Sequence, residues 1–334
     1  MTDGILPIPT IPPGLIDAAQ RGVLIPFVGA GVSLLAGCPS WAQLADGALR
    51  ACIRESSFTY GQLAQIEHLT PRIKLSIARG LEAEHGFNID YTQLIQPQVN
   101  AEKREIGERV YHSLGRLGTR FVTTNYDSWL DTEIPRVQRP IDPATAPPTT
   151  TANAPSTRRS IFRVNEFTPA NLNLEKTVFH LHGSLVEPSG MVITTSDYIA
   201  RYKNDRVGDD PELENRTLTF LEHLFSTKTV LFVGYGLEEL EILEYVIQKA
   251  RAPAYRQRAE ARHFLVQGYF AHQHELVRSM SQYYRQFGIQ LIPFQRDQKD
   301  WSQLIDVLEN YGEVMPATAP LNLQIQAEME ALLD

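Results

Sequence analysis

Two cysteines in 334 residues, Cys38 and Cys52, are too few for a disulfide framework or for a zinc site of paired C-x-x-C motifs. Both read as ordinary thiols, which fits a reducing cytoplasm. Nine histidines include His180/His182 and His272/His274 but no H-E-x-x-H spacing, so no metal is expected. Positive charge is also scarce: 31 Lys and Arg against 39 Asp and Glu give a net charge of −8. A nucleic-acid surface needs clustered Lys and Arg to neutralise phosphates, so no direct nucleic-acid binding is expected. No apolar run approaches the roughly 18–20 residues that cross a bilayer, and no membrane contact is expected. Met1–Pro13 is proline-rich and lacks the basic region and apolar core of a secretion signal. The expected location is the cytoplasm.

Strand-like apolar runs alternate with helical patterns along the chain. The strands are predicted at Val23–Val28, Arg120–Thr124, Thr177–Leu181, Met191–Thr194, Thr229–Gly234, His263–Gln267 and Ile289–Pro293. Helices are predicted at Trp41–Glu55, Ile73–Glu84, Tyr91–Gln96, Lys103–Leu117, Leu213–Ser226, Leu237–Ala250, Ala271–Phe287 and Trp301–Tyr311. Strands separated by helices imply a mostly parallel sheet covered on both faces, a doubly wound Rossmann-like α/β fold. One domain is expected over 1–334. The long helical stretch after the first strand exceeds one crossover, so residues 56–100 read as a helical insertion. The Pro-, Thr- and Ala-rich stretch 140–160 reads as a flexible loop, and 313–334 as a C-terminal extension.

Four segments carry chemistry. Val23–Ser33 joins an apolar run to Gly29-Ala30-Gly31 and a serine. A strand, a glycine turn and a helix start together make an anion-binding device, although a tight turn without ligand has the same pattern. Leu34 stands where a full G-x-G-x-x-G fingerprint has its third glycine. Phe121–Asp127 ends a strand in Asn125, Tyr126 and Asp127, and Val178–Ser184 delivers His182 before Gly183. Val230–Leu237 is a second strand–glycine–helix junction. In a parallel sheet the carboxyl ends of strands share one edge, so all four polar ends converge there. Each has a plain structural rival. Asn125 and Asp127 could cap local turns, His182 could be a buried structural histidine, and Trp41 reads as packing.

This set resembles the sirtuin family. Gly29–Ser33 resembles its G-A-G-[IV]-S loop, Thr123–Asp127 its T-Q-N-I-D segment, and His182-Gly183 its H-G pair. The details are similar to the divergent branch found in bacterial antiphage systems: G-C-P-S-W after the first loop, H-G-S, S-D-Y at Ser196–Tyr198, and F-V-G-Y-G-L. The resemblance implies NAD as substrate and assigns roles residue by residue. Gly29, Ala30, Gly31 and Ser33 would hold the diphosphate, and Asp127 would face the nicotinamide carboxamide. Gly234, Tyr235 and Gly236 would lie near the adenosine half. Asn125 and His182 would be the catalytic pair, and His182 is preferred to His180 through the H-G pattern alone.

The four-cysteine zinc module of protein-deacylating sirtuins is absent, as is their G-I-P-D-F-R continuation. What the resemblance then implies is hydrolysis of NAD⁺ to nicotinamide and ADP-ribose by a defence effector. Such a hydrolase needs restraint, so a homo-oligomer or a partner such as an ATPase or Argonaute-like protein is expected. Two other readings stand beside it: a protein deacylase or ADP-ribosyltransferase, and a silent NAD- or ADP-ribose-binding sensor or scaffold.

Overall fold

The strand β1 (Leu24–Val28) is buried along its whole length, as a strand covered on both faces must be. Its side chains alternate: Leu24 and Val28 join one apolar cluster, Ile25 and Phe27 the other. A computed structural model of the chain describes residues 4–96, 99–134, 156–202, 215–236, 247 and 262–315. Around β1 stand β2 (Arg120–Thr123), β3 (Arg159–Ile161), β4 (Thr177–His180), β5 (Thr229–Val233), β6 (His263–Tyr269) and β7 (Ile289–Gln295). They form a sheet of order β3-β4-β2-β1-β5-β6-β7 in which every pair is parallel. The chain fills one side of β1 with β2 to β4, then returns at β5 to fill the other. That reversal at β1 makes a topological switch point, with a crevice at the carboxyl ends of the strands.

Helices cover both faces. On one lie α1 (Pro13–Gln20), α7 (Ala101–Leu117) and α12 (Gln303–Val314), through Leu15, Val110, Leu114, Leu308 and Tyr311. On the other lie α8 (Pro169–Leu172), α10 (Arg216–Thr227) and α11 (His274–Arg285), through Leu172, Phe220, Leu224 and Tyr284. Each fully buried Leu or Phe contributes about 1.5–3 kcal/mol. The expected doubly wound, Rossmann-like α/β fold is the one observed. Among the described residues, no helix is long and apolar enough to cross a membrane.

Between β1 and α7 run α2 (Ala30–Leu35), α3 (Trp41–Arg54), α4 (Tyr60–Gln65), α5 (Pro71–His85) and α6 (Tyr91–Ile95). Ser40 and Gln43 start α3 with a reciprocal capping box, and Gly86 ends α5 in the left-handed conformation. Helices α3, α5 and α6 share a third apolar cluster, built on Leu49, Leu75 and Tyr91. Tyr126, Met191 and Ile193 from the loops after β2 and β4 belong to it.

Two strand expectations need correction. Met191–Thr194 is not a strand: its apolar side chains are buried against the α3–α6 cluster, so the run marks a covered loop rather than a sheet position. Conversely, Arg159–Ile161 forms the edge strand β3 where the composition suggested the end of a loop. A three-residue strand gives no alternating pattern to read. Residues 140–155 of that expected loop, the helix expected at Leu237–Ala250 (apart from Ile247), and the extension beyond 315 lie outside the described residues.

The turns after β1 and β5 interlock. Gly29 N–H donates to the Val233 carbonyl and Gly31 N–H to that of Gly234, both at 2.8 Å. A Cβ on Gly29 would come within 2.7 Å of the Gly234 oxygen, and one on Gly31 within 2.8 Å. Gly234 has φ +70°, and its Cβ would meet Val32 N at 2.7 Å. Gly234→Ala therefore combines strain with overpacking and is expected to cost about 2–4 kcal/mol in urea unfolding. Gly236→Ala, where an added Cβ meets nothing within 4 Å, serves as the near-neutral control. Equal stability of the two variants would refute the interlock.

Candidate active site

The ends of β1, β2, β4 and β5 bring Gly29, Asn125, His182 and Gly234 to one sheet edge. Beyond β2 the backbone stays ordered because Thr123 bridges it: its Oγ1 donates to the Val28 carbonyl (2.7 Å) and accepts from Asn125 N–H (3.0 Å). Asn125 is buried, and its Nδ2 donates to the Gly29 carbonyl at 3.1 Å and to Ser33 Oγ at 2.7 Å. A carbonyl only accepts, so this contact fixes which end of the amide is nitrogen. Among the described residues, Asn125 Oδ1 is left as a buried acceptor with no partner.

Ser33 is the node of this network. Its hydroxyl donates to Asp127 Oδ2 at 2.6 Å and lies 3.0 Å from the Tyr111 hydroxyl, which α7 supplies. Asp127 Oδ1 accepts from Trp129 N–H at 3.1 Å. Burial raises the Asp127 carboxyl above its ordinary range, against the hydrogen bonds from Ser33 and Trp129 and the charge of His180. Asn125, Asp127, Ser33, Trp41, Tyr126 and Cys38 line part of a cavity of about 40 Å³. Burial, reinforced by the Asp127 charge, pushes the Cys38 thiol up to about 12, so it stays protonated and inert.

The expected diphosphate loop has its glycines at the interlock, where Gly29 and Gly31 N–H groups serve Val233 and Gly234. Tyr235 packs edge-on against Phe27 and Phe232 and bonds Thr124 Oγ1 through its hydroxyl at 3.0 Å. Gly236 is exposed, and Ala30 lines the same cavity as Asn125.

The two histidines part company where β4 ends. The strand stops at His180, and the following turn needs Gly183 at φ +88°, where a Cβ would lie 2.8 Å from the Gly190 oxygen. His180 is fully buried, with Nδ1 3.0 Å from the Asn125 carbonyl and Nε2 2.9 Å from Asp131 Oδ1. Burial pulls its pKa down, but the Asp131 bond and charge, the Asn125 carbonyl and Asp127 outweigh it and raise the group. His182 is half-buried among rings, 6.4 Å from Tyr126 and edge-on to Tyr198 (6.0 Å) and Tyr202 (5.8 Å). Its Nδ1 has no partner among the described residues. Burial, with the charges of Arg201 and Arg72, lowers it to about 3, so it is a neutral imidazole.

Sequence reasoning missed Tyr111, Asp131, Tyr202, Arg72 and Arg201. The S-D-Y segment did point to Tyr198, which belongs to α9 (Thr195–Tyr202) and has the Arg72 guanidinium 4.0 Å above its ring. The others had no signal, since α7 and α5 give Tyr111 and Arg72 no distinguishing spacing.

Opposite pH effects follow from the two histidines. Stability tied to neutral His182 is present above pH 6.5 and lost as pH falls toward about 3, so His182→Gln should flatten the acid loss of Tm. Stability tied to His180 is present below pH 6.5 and lost as pH rises through its raised value, so His180→Gln should cost more at about pH 6 than at about pH 9. Parallel Tm–pH curves for wild type and both variants would contradict these assignments.

Comparison with known proteins agrees with this geometry. The SIR2-like domain family matches residues 119–292. That span covers Asn125, Asp127, His182 and Gly234–Gly236 and leaves out the Gly29 turn, which the fold docks onto Gly234. Defense-associated sirtuin 2 of Bacillus subtilis is 23% identical over 236 residues, covering 68% of this chain and 19% of that protein. The chain thus spans about a fifth of that relative's length. With more than half of its residues matched and its polar strand ends gathered at one edge, the chain belongs to the SIR2-like family.

Proposed function

We propose that the chain is an NAD⁺ glycohydrolase that releases nicotinamide and ADP-ribose, and that it depletes NAD⁺ as an antiphage effector. The observation that carries this reading is the unpartnered Asn125 Oδ1. The amide is anchored by its nitrogen, which leaves its oxygen as a neutral acceptor for a ribose hydroxyl or a water at the cavity that Asn125 lines. Nicotinamide leaves readily because its ring nitrogen is cationic in NAD⁺. Departure produces an oxocarbenium-like ribose, which an ionised side chain in the place of Asn125 could trap. Water then adds to C1′, and its proton passes to His182, which is unprotonated and so able to accept it, although burial and the nearby arginines make it a weak base.

In this reading Asp127 meets the carboxamide, and Ser33 with the Gly29–Gly31 turn lies along the diphosphate. The glycines contribute close approach, because their N–H groups are engaged by β5. Gly234, Tyr235 and Gly236 lie toward the adenosine. The cavity beside Asn125, at about 40 Å³, is far smaller than the roughly 300–1,000 Å³ of ligand pockets. An enzyme whose site is completed by assembly would fit this, and gating by a homo-oligomer or by an ATPase or Argonaute-like partner is part of the proposal. The defence role draws on the similarity to Defense-associated sirtuin 2 of Bacillus subtilis.

The test is incubation of the purified protein with NAD⁺ over a wide range of protein concentration, with products separated by chromatography. Nicotinamide and ADP-ribose should appear together, and Asn125→Ala and His182→Ala should each lower the rate by about 10²–10⁴ while leaving the fold intact. O-acetyl-ADP-ribose formed from an acetylated peptide would make the chain a deacylase instead. Saturable NAD⁺ binding without turnover would make it a sensor. Full activity of a dilute monomer would overturn gating by assembly.

A further inference from the structure

His180 is buried completely beside the site, yet the proposed hydrolysis gives it no task. Its two bonds define its protonation. The Asn125 carbonyl can only accept, so Nδ1 carries a proton. Asp131 as a carboxylate can only accept as well, so the Nε2 contact requires a second proton. The pair is thus an imidazolium facing a carboxylate, neutral overall. Asp127, from the loop after β2, adds negative charge toward His180, and the Arg158 guanidinium adds positive charge toward Asp131. Neutrality matters here, because an unpaired cation beneath the site would oppose an oxocarbenium-like ribose.

The contacts of Asn125 show what the pair does. This residue lies two positions past the end of β2, beyond the parallel ladder. Its N–H is held by Thr123 Oγ1, its Nδ2 by Gly29 and Ser33, and its carbonyl by His180. Every polar group of Asn125 is engaged except the Oδ1 assigned to substrate. Of these bonds, the one from His180 alone comes from β4, and it ties the Asn125 backbone to the strand that also leads into His182.

We propose that His180, pinned between Asp131 and the Asn125 carbonyl, is a positioning residue that holds the Asn125 amide in register with His182. It rests on the hydrolase reading above. His180 exchanges no proton with substrate, since both ring nitrogens are occupied and no part of it is exposed. What the geometry requires is a donor at the Nδ1 position. Asn at 180 supplies one there, and Ala does not. Asp131→Asn also preserves it, because a neutral imidazole can keep the Nδ1 proton while Nε2 accepts from the new amide.

Steady-state kinetics of nicotinamide release should show His180→Ala lowering kcat by about 10–100-fold with KM for NAD⁺ changed less than about threefold. His180→Asn and Asp131→Asn should recover most of that loss. A second readout is independent of turnover: amide hydrogen exchange at Asn125 should speed up in His180→Ala and return toward wild type in His180→Asn. Wild-type kcat in His180→Ala, no rescue by Asn, or unchanged Asn125 exchange would overturn the proposal. An inactive wild type whose Asn125 exchange still depends on His180 would instead sink the hydrolase reading and leave the structural coupling standing. Should His180→Ala not fold, Asp131→Asn decides: near-wild-type kcat supports positioning by the Nδ1 donor, and loss to the level of Asn125→Ala refutes it.

Discussion

The hydrogen bond from Gly31 N–H to the Gly234 carbonyl, with its companion from Gly29 to Val233, ties the turn after β1 to the turn after β5. These backbones approach so closely that no side chain fits on either Gly29 or Gly31 without displacing the other turn. The rest of the site depends on that closure. It places the Gly29 carbonyl where Asn125 Nδ2 can reach it, and it sets the start of α2 so that Ser33 reaches Asn125 and Asp127. A glycine pattern that reads as a phosphate cradle is, in this chain, first a joint between two strands.

Around that joint the polar groups are arranged in two shells with different electrostatics. Ser33, Tyr111, Asn125 and Asp127 form a buried network in which each member limits the freedom of the next. His180 and Asp131 meet the Asn125 carbonyl as a compensated ion pair. His182, two residues along, sits in an aromatic surround where burial, reinforced by the charges of Arg201 and Arg72, keeps it neutral. Two histidines separated by one residue thus take opposite protonation states. The cause is that β4 stops between them and a glycine turn sends the chain into another environment.

The helices between β1 and β2 are coupled to this edge. Their apolar cluster takes in Tyr126, next to Asn125, and Met191 and Ile193, whose segment bonds back to His182 through Val192 N–H at 2.8 Å. Arg72 of α5 reaches the Tyr198 ring, and Thr195 N–H donates to Ser76 of α5. Movement of these helices would therefore be felt at Tyr126 and at the rings around His182 together.

Much of the fold was legible because the central strands are continuous apolar runs and the helices that cover them repeat every three to four residues. The four polar strand ends could be named for the same reason, since a parallel sheet sends every carboxyl end to one edge. Three-residue β3 and the covered loop at Met191 escaped, because local pattern reports burial and not what does the burying. Sequence alone determined the sheet, its edge and the identities of Asn125, Asp127 and His182. Tertiary structure decided what each polar atom faces: that Gly29 and Gly31 spend their N–H groups on the end of β5 and the turn after it, that Tyr111 closes the Ser33 network, and that His180 has both ring nitrogens engaged while His182 Nδ1 has no partner among the described residues. Those outcomes rest on hydrogen-bond geometry between segments far apart in the chain, such as Ser33 and Asp127 at a separation of 94 and Gly31 and Gly234 at more than twice that, and no local spacing encodes it.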